Sequence, residues 1–525
     1  MSEKELPAGW VPARLGDVLL TVEAGKSFTC EPRRADLGEW GIVRVSAMTW
    51  GRFDERENKA VPDGRLVNSA YEIRSGDILV SRANTREYVG APVLVGECRP
   101  KLLLSDKSLR LVPSGLVSKK WLVHLLGSPE MRRWISDKAT GTKESMRNIS
   151  QQVLLDAPFL LPPREEQDRI VEALEGHLSR LDAAADLMRS CQARSRTLLR
   201  SVVEQAQSGN LARSEEPQEP IDNLLEELAE LAEAASLGKK RKGVVFHSLS
   251  DRISPPAHWS VQPLGRLCSL IEYGTSEKAH LEASDGDIPV LRMGNIQDGR
   301  IDWANLKYLP GDLGDIEKLT LKDGDILFNR TNSAELVGKA AVYRSTGGQA
   351  TFASYLIRCR TWPGVDPDWV ALCINSAEGR RYINSVVSQQ VGQANVNGTK
   401  LSSFPIPLPP GDEQVRIVKS AAEWRDSVAR AETVISHSLT RAGHLRQSIL
   451  VRAFRGALLP QDPTDEPATA LLARIQAERA AQPKPKRVRR APAPRKAKAP
   501  AVAPTEPAPA PTSAPTHAVQ QEFDL

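Results

Sequence analysis

The fold is decided by two stretches of sequence that repeat each other, Ser75–Gly90 (SGDILVSRANTREYVG) and Asp323–Gly338 (DGDILFNRTNSAELVG). Nine of the sixteen aligned residues are identical. In both stretches a short apolar strand pattern is bounded by Gly and Asn. Matches at a nearly constant offset continue on either side, so one large unit is written twice. The sequence therefore predicts two similar halves related by a pseudo-twofold axis.

The duplication extends over most of the chain. LPPREEQDRIV (161–171) aligns with LPPGDEQVRIV (408–418), and the connector 209–225 aligns with 456–472. The offset drifts only from 249 to 247. In each half, short strands and helices lead to a Pro-Pro pair, where a long helical stretch starts. The predicted fold class is α/β or α+β, with two globular units.

After each Pro-Pro pair, apolar residues recur at alternating spacings of four and three for more than four heptads. This pattern predicts two long helices that pack together as an antiparallel coiled coil, because each buries its stripe on a matching partner. The alternative is a long surface helix packed on its own domain. The residues predicted to form the seam are Ile170, Leu174, Leu181, Met188, Leu198, Val202, Ile417, Trp424, Val428, Ile435, Leu445 and Ile449.

These patterns divide the chain into successive parts. Both short helical segments, 221–235 and 468–481, are expected to dock on the body of the protein or, alternatively, on another protein. The final segment is rich in Pro, Ala and Lys, and we expect it to be disordered. The predicted boundaries are a first globular unit at 1–163, a helix at 164–208, a connector with a short amphipathic helix at 209–254, a second globular unit at 255–410, a helix at 411–456, a short helical segment at 457–482 and the tail at 483–525.

Composition excludes several classes of protein. The 525 residues are 41% hydrophobic, which is enough for several cores. Lys and Arg exceed Asp and Glu by five, and the tail alone has eight of the former and three of the latter, so the body is neutral and its bulk charge identifies no partner. No apolar run reaches eighteen residues and no signal peptide is apparent, so we expect a cytoplasmic protein without membrane contact. The six cysteines include no CxxC pair and indicate neither zinc nor disulfides.

Sequence motifs for catalysis are not found. Gly25-Lys26-Ser27 resembles the end of a phosphate loop, but Leu20 stands where that loop requires glycine. There is no HExxH, no GxGxxG and no Asn/Asp-Pro-Pro-Tyr/Phe tetrapeptide of an amino-methyltransferase. Asp77 and Asp325 resemble acidic catalysts, but their position just before a strand favours turn residues. We therefore expect no catalysis by this chain.

Several of these motifs occur together in one known family. The duplicated Trp and Leu-Gly start, the paired GDIL blocks, NVNGTKL (395–401), the paired LPP-x2-EQ helix starts and LRQSILVRAFRGALLPQDPTD (445–465) resemble the specificity subunits of type I restriction–modification enzymes. The likeness covers about 1–480. It implies two target-recognition domains, each reading one half of a bipartite, asymmetric site in double-stranded DNA. NGTKL occurs only in the second half, so the two half-sites are expected to differ.

The resemblance also implies partners. The helices are expected to set the spacer between half-sites and to bind modification subunits, two of them, which carry the adenine methyltransferase and its S-adenosylmethionine. A separate restriction subunit is expected to carry the ATPase and the nuclease. This chain is expected to hold no cofactor and no metal.

Candidate DNA contacts follow from the chemistry of base edges, since Arg and Lys pair with guanine while Asn and Gln pair with adenine. Such residues follow a predicted strand or precede the Pro-Pro pair in each half. Those that match between the halves fit phosphate contact or loop support better than the reading of different bases. For the residues that precede the Pro-Pro pair, the alternative is a solvated loop without a DNA contact. The candidates are Arg82, Asn84, Arg86, Lys143, Arg147, Asn148, Arg330, Asn332, Gln393, Asn395, Asn397 and Lys400.

Two other functional classes stay open at this point. One is an enzyme, a lone methyltransferase or nuclease, which methyl transfer by the purified chain would support. The other is a coiled-coil adaptor or scaffold with two protein-binding domains. A DNA footprint with two protected patches and a fixed gap would exclude the adaptor.

Overall fold

The computed structural model describes residues 6–481 apart from 50, 63, 65–66, 142–145, 212–219, 236–243, 315, 334–336, 346–347 and 391–392. The tail at 483–525 and the candidate Lys143 therefore lie outside the described residues.

The first half of the chain forms a globular unit of short strands and helices. Its strands are β1 (Val11–Arg14), β2 (Leu19–Ala24), β3 (Gly41–Val43), β4 (Asn58–Ala60), β5 (Ile78–Ser81), β6 (Ala83–Asn84), β7 (Pro92–Leu94), β8 (Leu102–Leu103), β9 (Ser108–Pro113), β10 (Arg147–Asn148) and β11 (Pro158–Leu161). Its helices are α1 (Leu15–Val18), α2 (Lys119–Gly127), α3 (Pro129–Lys138) and α4 (Gln151–Leu155).

The GDIL strand β5 lies inside the main sheet of this unit. The sheet is antiparallel in the order β2–β9–β5–β7, and a smaller sheet has the order β4–β3–β8. Ile78 and Val80 belong to the core that includes helix residue Trp121, whereas Leu79 belongs to the core of the smaller sheet with Met48. Because successive strand residues face opposite sides, a strand that is buried on both faces needs a continuous apolar run.

Two helices and a second globular unit follow. The helices are α5 (Arg164–Gln207) and α6 (Ile221–Ala234). The strands of the second unit are β12 (Ser260–Pro263), β13 (Cys268–Tyr273), β14 (Asp287–Leu291), β15 (Ile296–Gln297), β16 (Arg300–Ile301), β17 (Lys307–Pro310), β18 (Ile326–Asn329), β19 (Thr331–Asn332), β20 (Ala340–Val342), β21 (Thr351–Phe352), β22 (Leu356–Thr361), β23 (Ser388–Gln390), β24 (Gln393–Asn395) and β25 (Pro405–Leu408). Its helices are α7 (Leu264–Leu267), α8 (Ile316–Leu319), α9 (Pro367–Asn375), α10 (Ala377–Val386) and α11 (Gly398–Ser402), and the chain continues into α12 (Gly411–Phe454) and α13 (Ala468–Ala481).

The sheets of the two units have the same strand order. The sheet β13–β22–β18–β20 corresponds to β2–β9–β5–β7, and β17–β14–β21 corresponds to β4–β3–β8. The pair β12–β25 corresponds in the same way to β1–β11. The predicted mixed α/β class with two related globular units is confirmed.

The long helices α5 and α12 each contain 44 residues, or about 66 Å at 1.5 Å per residue. They run antiparallel, because Arg446 near the end of α12 forms a 3.2 Å ion pair with Asp182 in the first half of α5. Ile170 at the start of α5 shares a core with Phe454, and Ile417 near the start of α12 shares a core with Ala206. The first unit therefore lies at one end of the helix pair and the second unit at the other, which confirms the predicted arrangement.

Three of the predicted seam residues are wrong. Leu198, Trp424 and Leu445 are 42%, 46% and 48% exposed. Leu199, the next residue after Leu198, is half-buried, so at this point of α5 the less exposed side chain lies one position later than predicted.

The other predicted seam residues are less exposed than these three. Ile170, Leu174, Val202, Ile417 and Val428 are buried, whereas Leu181, Met188, Ile435 and Ile449 are half-buried.

The short helices pack on the chain's own globular units. The last helix, α13, buries Leu471 and Ile475 in the core of the first unit, and the Ala468 amide donates a 2.9 Å hydrogen bond to the Gly9 carbonyl. In the same way α6 buries Leu228 in the core of the second unit. Within the described ranges, none of the helices combines the length and the apolar character needed to cross a membrane.

Candidate nucleic-acid interface

One end of the main sheet in the first unit gathers the candidate residues of that half. We call residues 24–27, 81–86, 105–108 and 146–150 the first strand-end surface. Ala24 lies opposite Leu109, and Ser81 lies opposite Ser108, so three strands stop at the same level. The segment that follows β5 and the segment that precedes the Pro-Pro pair are brought together here, because β6 pairs with β10.

The second unit has an equivalent surface. Residues 273–276, 329–333, 354–356 and 393–400 form the second strand-end surface. Here β19 pairs with β24, which places Thr331 opposite Asn395. The Arg330 amide donates to the Tyr355 carbonyl (3.0 Å), as the Arg82 amide does to the Lys107 carbonyl (2.8 Å) in the first unit.

The matching arginines bind the protein itself. Nη1 of Arg82 donates to the Asp106 carbonyl and Nη1 of Arg330 to the Ser354 carbonyl, at 3.4 Å in both cases. The guanidinium of Arg330 also lies 4.6 Å from the ring centre of Tyr273. These contacts favour the interpretation that both arginines support the loop after the strand.

The matching asparagines also hold local turns. Oδ1 of Asn84 accepts a hydrogen bond from the Thr85 amide (2.9 Å), and Oδ1 of Asn332 accepts one from the Ser333 amide (2.8 Å). Such bonds fix the direction in which the chain leaves the strand.

Several candidates before the Pro-Pro pair are likewise occupied. Arg147 donates to the carbonyls of Ala139 (2.7 Å) and Gly141 (3.0 Å). Oδ1 of Asn397 caps α11 by accepting from the amide of Lys400 (2.9 Å). Two further contacts are those of Nζ of Lys400 with Oγ of Ser388 (2.6 Å) and of Oδ1 of Asn395 with Nη2 of Arg330 (3.4 Å).

The remaining candidates differ in how much of them is described. Arg86 and Asn148 are exposed, and among the described residues their side chains form no hydrogen bond or ion pair. The backbone of Gln393 lies in β24, but its side chain is outside what the structure describes, as is Lys143. Sequence reasoning did not select Lys26, Lys107, Tyr273 and Tyr355, which the fold brings to the same surfaces.

A pair of glycines marks these missed positions. The backbone of Gly25 packs against the carbonyl of Leu104, and that of Gly274 packs against the carbonyl of Phe352. A Cβ at either glycine would overlap that carbonyl group, so only glycine fits. The glycine before Lys26 therefore serves backbone packing, and its alignment with Gly274 is the sequence signal that could have located both strand ends.

The repeated GDIL aspartates stabilise turns. Oδ2 of Asp77 accepts from the Arg74 amide (2.9 Å), and Oδ2 of Asp325 accepts from the Lys322 amide (2.8 Å). Each carboxylate also forms an ion pair across the sheet, Asp77 with Arg110 (3.0 Å) and Asp325 with Arg360 (2.7 Å). The turn interpretation of both residues is confirmed.

The repeated Glu-Gln pair at each helix start joins the helix to its globular unit. The Trp10 indole donates to Glu166 at the start of α5 (2.8 Å), and the Trp259 indole donates to Glu413 at the start of α12 (2.9 Å). Burial raises the pKa of the Glu166 carboxyl above its ordinary value, although the hydrogen bond from Trp10 opposes this shift.

The glutamine of the pair makes a second link. Oε1 of Gln167 accepts from the Ser118 amide (3.0 Å), just before α2. Oε1 of Gln414 accepts from the Asp366 amide (2.8 Å), just before α9. The direction of each long helix is thus fixed relative to the globular unit that carries the strand-end surface.

Each long helix also exposes apolar side chains away from the seam. Leu187 and Leu198 of α5 are 64% and 42% exposed, and they lie eleven residues, or three helical turns, apart. Their repeat equivalents in α12 are Val434 and Leu445, which are 65% and 48% exposed. The two helices thus carry equivalent exposed apolar stripes. Within the described residues, no group of three or more His, Cys, Asp and Glu side chains is arranged to hold a metal ion.

Comparisons with known proteins agree on one family. The sequence model described as "Type I restriction modification DNA specificity domain" matches residues 256–420. The chain is 26% identical over 501 residues to the type I restriction enzyme EcoKI specificity subunit of Escherichia coli strain K12, covering 92% of this chain and 98% of that protein. It is also 26% identical over 497 residues to the StySPI specificity subunit of Salmonella potsdam, covering 91% of this chain and 97% of that protein.

Two solved structures share the fold. The HsdS subunit from Thermoanaerobacter tengcongensis superposes with a TM-score of 0.51 at 20% identity, over 87% of this chain and 99% of that chain. A chain from work on complex assembly and conformational transition of the type I R-M system superposes with a TM-score of 0.60 at 20% identity, over 87% of this chain and 100% of that chain.

Fold, surfaces and relatives together define a non-catalytic DNA-specificity subunit. The chain belongs to the specificity subunits of type I restriction–modification systems. It binds DNA and assembles with the other subunits of such a complex, and subunits of this family bind no cofactor themselves.

Proposed function

We propose that the globular units at 1–163 and 255–410 are target-recognition domains, and that each contacts one half of a bipartite, asymmetric DNA site with its strand-end surface. One observation carries this proposal: equivalent surfaces lie on two units at opposite ends of the antiparallel pair α5 and α12. Two readers at a fixed separation suit two short sequences at a fixed spacing. Because the surfaces differ in side chains, the half-sites differ in sequence.

Among the exposed candidates, Asn148 is the best placed to read a base, because its amide suits adenine. Arg86 is exposed on the same surface, and its guanidinium suits a phosphate contact. Lys143 and Gln393 remain proposals on the basis of sequence position. The arginines and asparagines bonded within the protein act mainly by fixing the loops, and their exposed edges contact phosphates.

The partners follow from the apolar stripes on the helices. Leu187 and Leu198 on one helix, and Val434 and Leu445 on the other, suit two copies of one partner, which we propose to be the modification subunits with their adenine methyltransferase and S-adenosylmethionine. A restriction subunit that uses ATP completes the complex. We propose that it acts in the cytoplasm, where its target DNA is accessible.

A variant with longer helices tests this proposed function. The Arg446–Asp182 pair sets the register, and counting ten residues along each antiparallel helix places Gln192 opposite Ser436. Seven residues inserted after each of these positions preserve the heptad phase and add about 10 Å. At 3.4 Å per base pair, the methylated site should gain about three base pairs in its spacer, with both half-sites unchanged.

Sequencing of methylated adenines in cells that express the lengthened chain gives the spacer directly. A matched control replaces seven residues at the same places with helix-forming residues without lengthening either helix, and it should keep the original spacer. An unchanged spacer in the lengthened protein would show that the helices do not set the distance.

A further inference from the structure

We propose that the two strand-end surfaces bind DNA by different physical means. The first surface uses cations on phosphates, whereas the second uses the ring of Tyr355 on a base or sugar, beside an Arg330 that Tyr273 positions. This inference rests on the proposed function, since it assumes that both surfaces face DNA. It assigns half-site-specific roles to Lys26, Lys107, Tyr273 and Tyr355.

The first surface carries cations at positions that the fold defines as equivalent. Lys26 follows the tightly packed Gly25 and is exposed, whereas Thr275 follows Gly274. Lys107 is half-buried, and its carbonyl accepts a hydrogen bond from the Arg82 amide. In the second unit the Tyr355 carbonyl accepts the same bond from the Arg330 amide, so Lys107 and Tyr355 occupy equivalent positions.

Arg86 adds a third cation to this surface and aligns in sequence with Ala334, which lies outside the described residues. The three cationic positions of the first surface thus correspond to Thr, Tyr and Ala in the second.

The second surface carries aromatic rings instead. Tyr273 is 43% exposed and Tyr355 is 48% exposed, and both adjoin Arg330. The ring of Tyr273 lies 4.6 Å from the guanidinium carbon of Arg330, and its hydroxyl accepts from the Gly398 amide (2.8 Å) at the start of α11. In the first unit, Ala24 occupies the position of Tyr273.

Tyr273 is therefore a positioning residue, because it joins Arg330 to the segment that contains Asn397. Tyr355 holds Arg330 through its backbone carbonyl, which accepts from the Arg330 amide. Its exposed ring takes no part in that bond and is free to lie against a base or a sugar.

Other charged residues do not remove the contrast. Acids lie on or beside both surfaces: Asp106 lies on the first with Glu87 beside it, and Glu277 lies beside the second. Lys400 of the second surface is bonded to Ser388, and Lys278 lies next to Glu277 in the chain. The difference lies at the equivalent positions, where a cation in one unit is an aromatic or neutral side chain in the other.

The two means of binding respond differently to salt. A cation on a phosphate releases a counterion, so each such contact adds about 0.9 to the slope of log affinity against log salt. A tyrosine ring against a base or sugar releases none. Loss of the three cations should therefore flatten the salt dependence, and loss of Tyr355 should weaken binding equally at all salt concentrations.

The experiment uses the full chain assembled with its modification subunits. Affinity for a duplex with both half-sites is measured between about 50 and 200 mM salt for the wild type, for K26T/R86A/K107Y and for Tyr355→Ala. The triple variant should lower the slope by roughly 2 to 3. Tyr355→Ala should weaken binding by about 5- to 150-fold with the slope unchanged.

A second readout separates positioning from general loss of structure. Sites methylated in cells that express Tyr355→Ala or Tyr273→Phe should be relaxed in the second half-site alone, while the triple variant should keep both half-sites. A changed slope in Tyr355→Ala, an unchanged slope in the triple variant, or relaxation of the first half-site by the tyrosine variants would overturn the inference. If the wild-type complex fails to discriminate its site from other DNA, the proposed function itself fails.

Discussion

The indole Nε1 of Trp10 donates a 2.8 Å hydrogen bond to Oε2 of Glu166, a residue 156 positions later in the chain. The equivalent contact in the second half joins Trp259 to Glu413 at 2.9 Å. In both halves the first tryptophan of a globular unit is thus bound to the first turn of the long helix that leaves that unit. A globular unit attached in this way keeps its orientation on the helix pair, which the proposed function requires for a fixed spacing between half-sites.

The first prediction concerns the pH dependence of stability at Glu166. Burial raises the native pKa of this carboxyl above the unfolded value near 4.5, so the native state binds the proton more tightly. The resulting stability is fully present below the unfolded pKa and is lost as pH rises through the native pKa. Relative to Glu166→Gln, the wild type should therefore gain about 1.4 kcal/mol per unit of pKa difference as pH falls through this window.

Urea unfolding of both proteins between pH 4 and pH 8 measures this difference. Glu165 is the adjacent exposed carboxylate of the same helix turn, so Glu165→Gln is the matched control for the loss of one negative charge. A free-energy difference between the wild type and Glu166→Gln that stays constant over this range would contradict the assigned pKa direction.

The second prediction concerns Gln414, which is fully buried at the start of α12. Its Oε1 accepts from the Asp366 amide (2.8 Å), while Nε2 donates to the carbonyls of Pro409 (2.9 Å) and Gly364 (3.2 Å). Gln414→Ala leaves these backbone groups without partners and should lower the free energy of unfolding by about 3 kcal/mol.

Gln414→Glu should be at least as damaging, because a buried carboxylate would face two carbonyl oxygens. The control is Val415→Ala on the exposed side of the same turn, which should change stability by less than about 0.5 kcal/mol. Chemical unfolding measures all three variants, and equal stability of Gln414→Ala and Val415→Ala would exclude this role.

The third prediction uses the packing of Gly25. Because its backbone lies against the Leu104 carbonyl, Gly25→Ala must push two backbone segments apart and should cost at least about 2 kcal/mol of folding free energy. Gly115 has open space around it and an ordinary backbone conformation, so Gly115→Ala should be neutral within about 0.5 kcal/mol. The unfolding midpoints of the two variants decide the matter, and similar values would show that the Gly25 backbone is free to move.

Much of the fold was predictable because the duplication supplied two independent copies of each pattern. The strand around Ile78 and the strand around Ile326 share a buried apolar run, and the paired Pro-Pro stops located both long helices. The seam was less predictable, since Leu198 and Leu199 both fit a stripe and only the direction of the partner helix selects between them.

The candidate site was predictable in position more than in role. The two polar segments of each half do meet, through the β6–β10 and β19–β24 pairs. Their residue types could not reveal that Arg147 is bonded to backbone carbonyls or that Asn397 caps a helix. Both roles depend on where the folded chain places the partner backbone groups. Tyr355 was missed because it lies just before β22, and its place at the strand end is apparent only once the pairing of β22 with β13 and β18 is known.

The fourth prediction tests the apolar stripes on the long helices. Leu198 and Leu445 are equivalent, exposed and outside the seam, so a charge at either is tolerated by the fold while it opposes an apolar partner. Leu198→Glu alone should reduce the modification subunits bound per chain from two to one, and L198E/L445E should abolish their binding. Native mass spectrometry of the reassembled complex measures the stoichiometry.

Leu37 is 92% exposed in a loop of the first unit, so Leu37→Glu is a control that should retain both subunits. Two bound subunits on a folded double variant would mean that the modification subunits dock elsewhere on the chain.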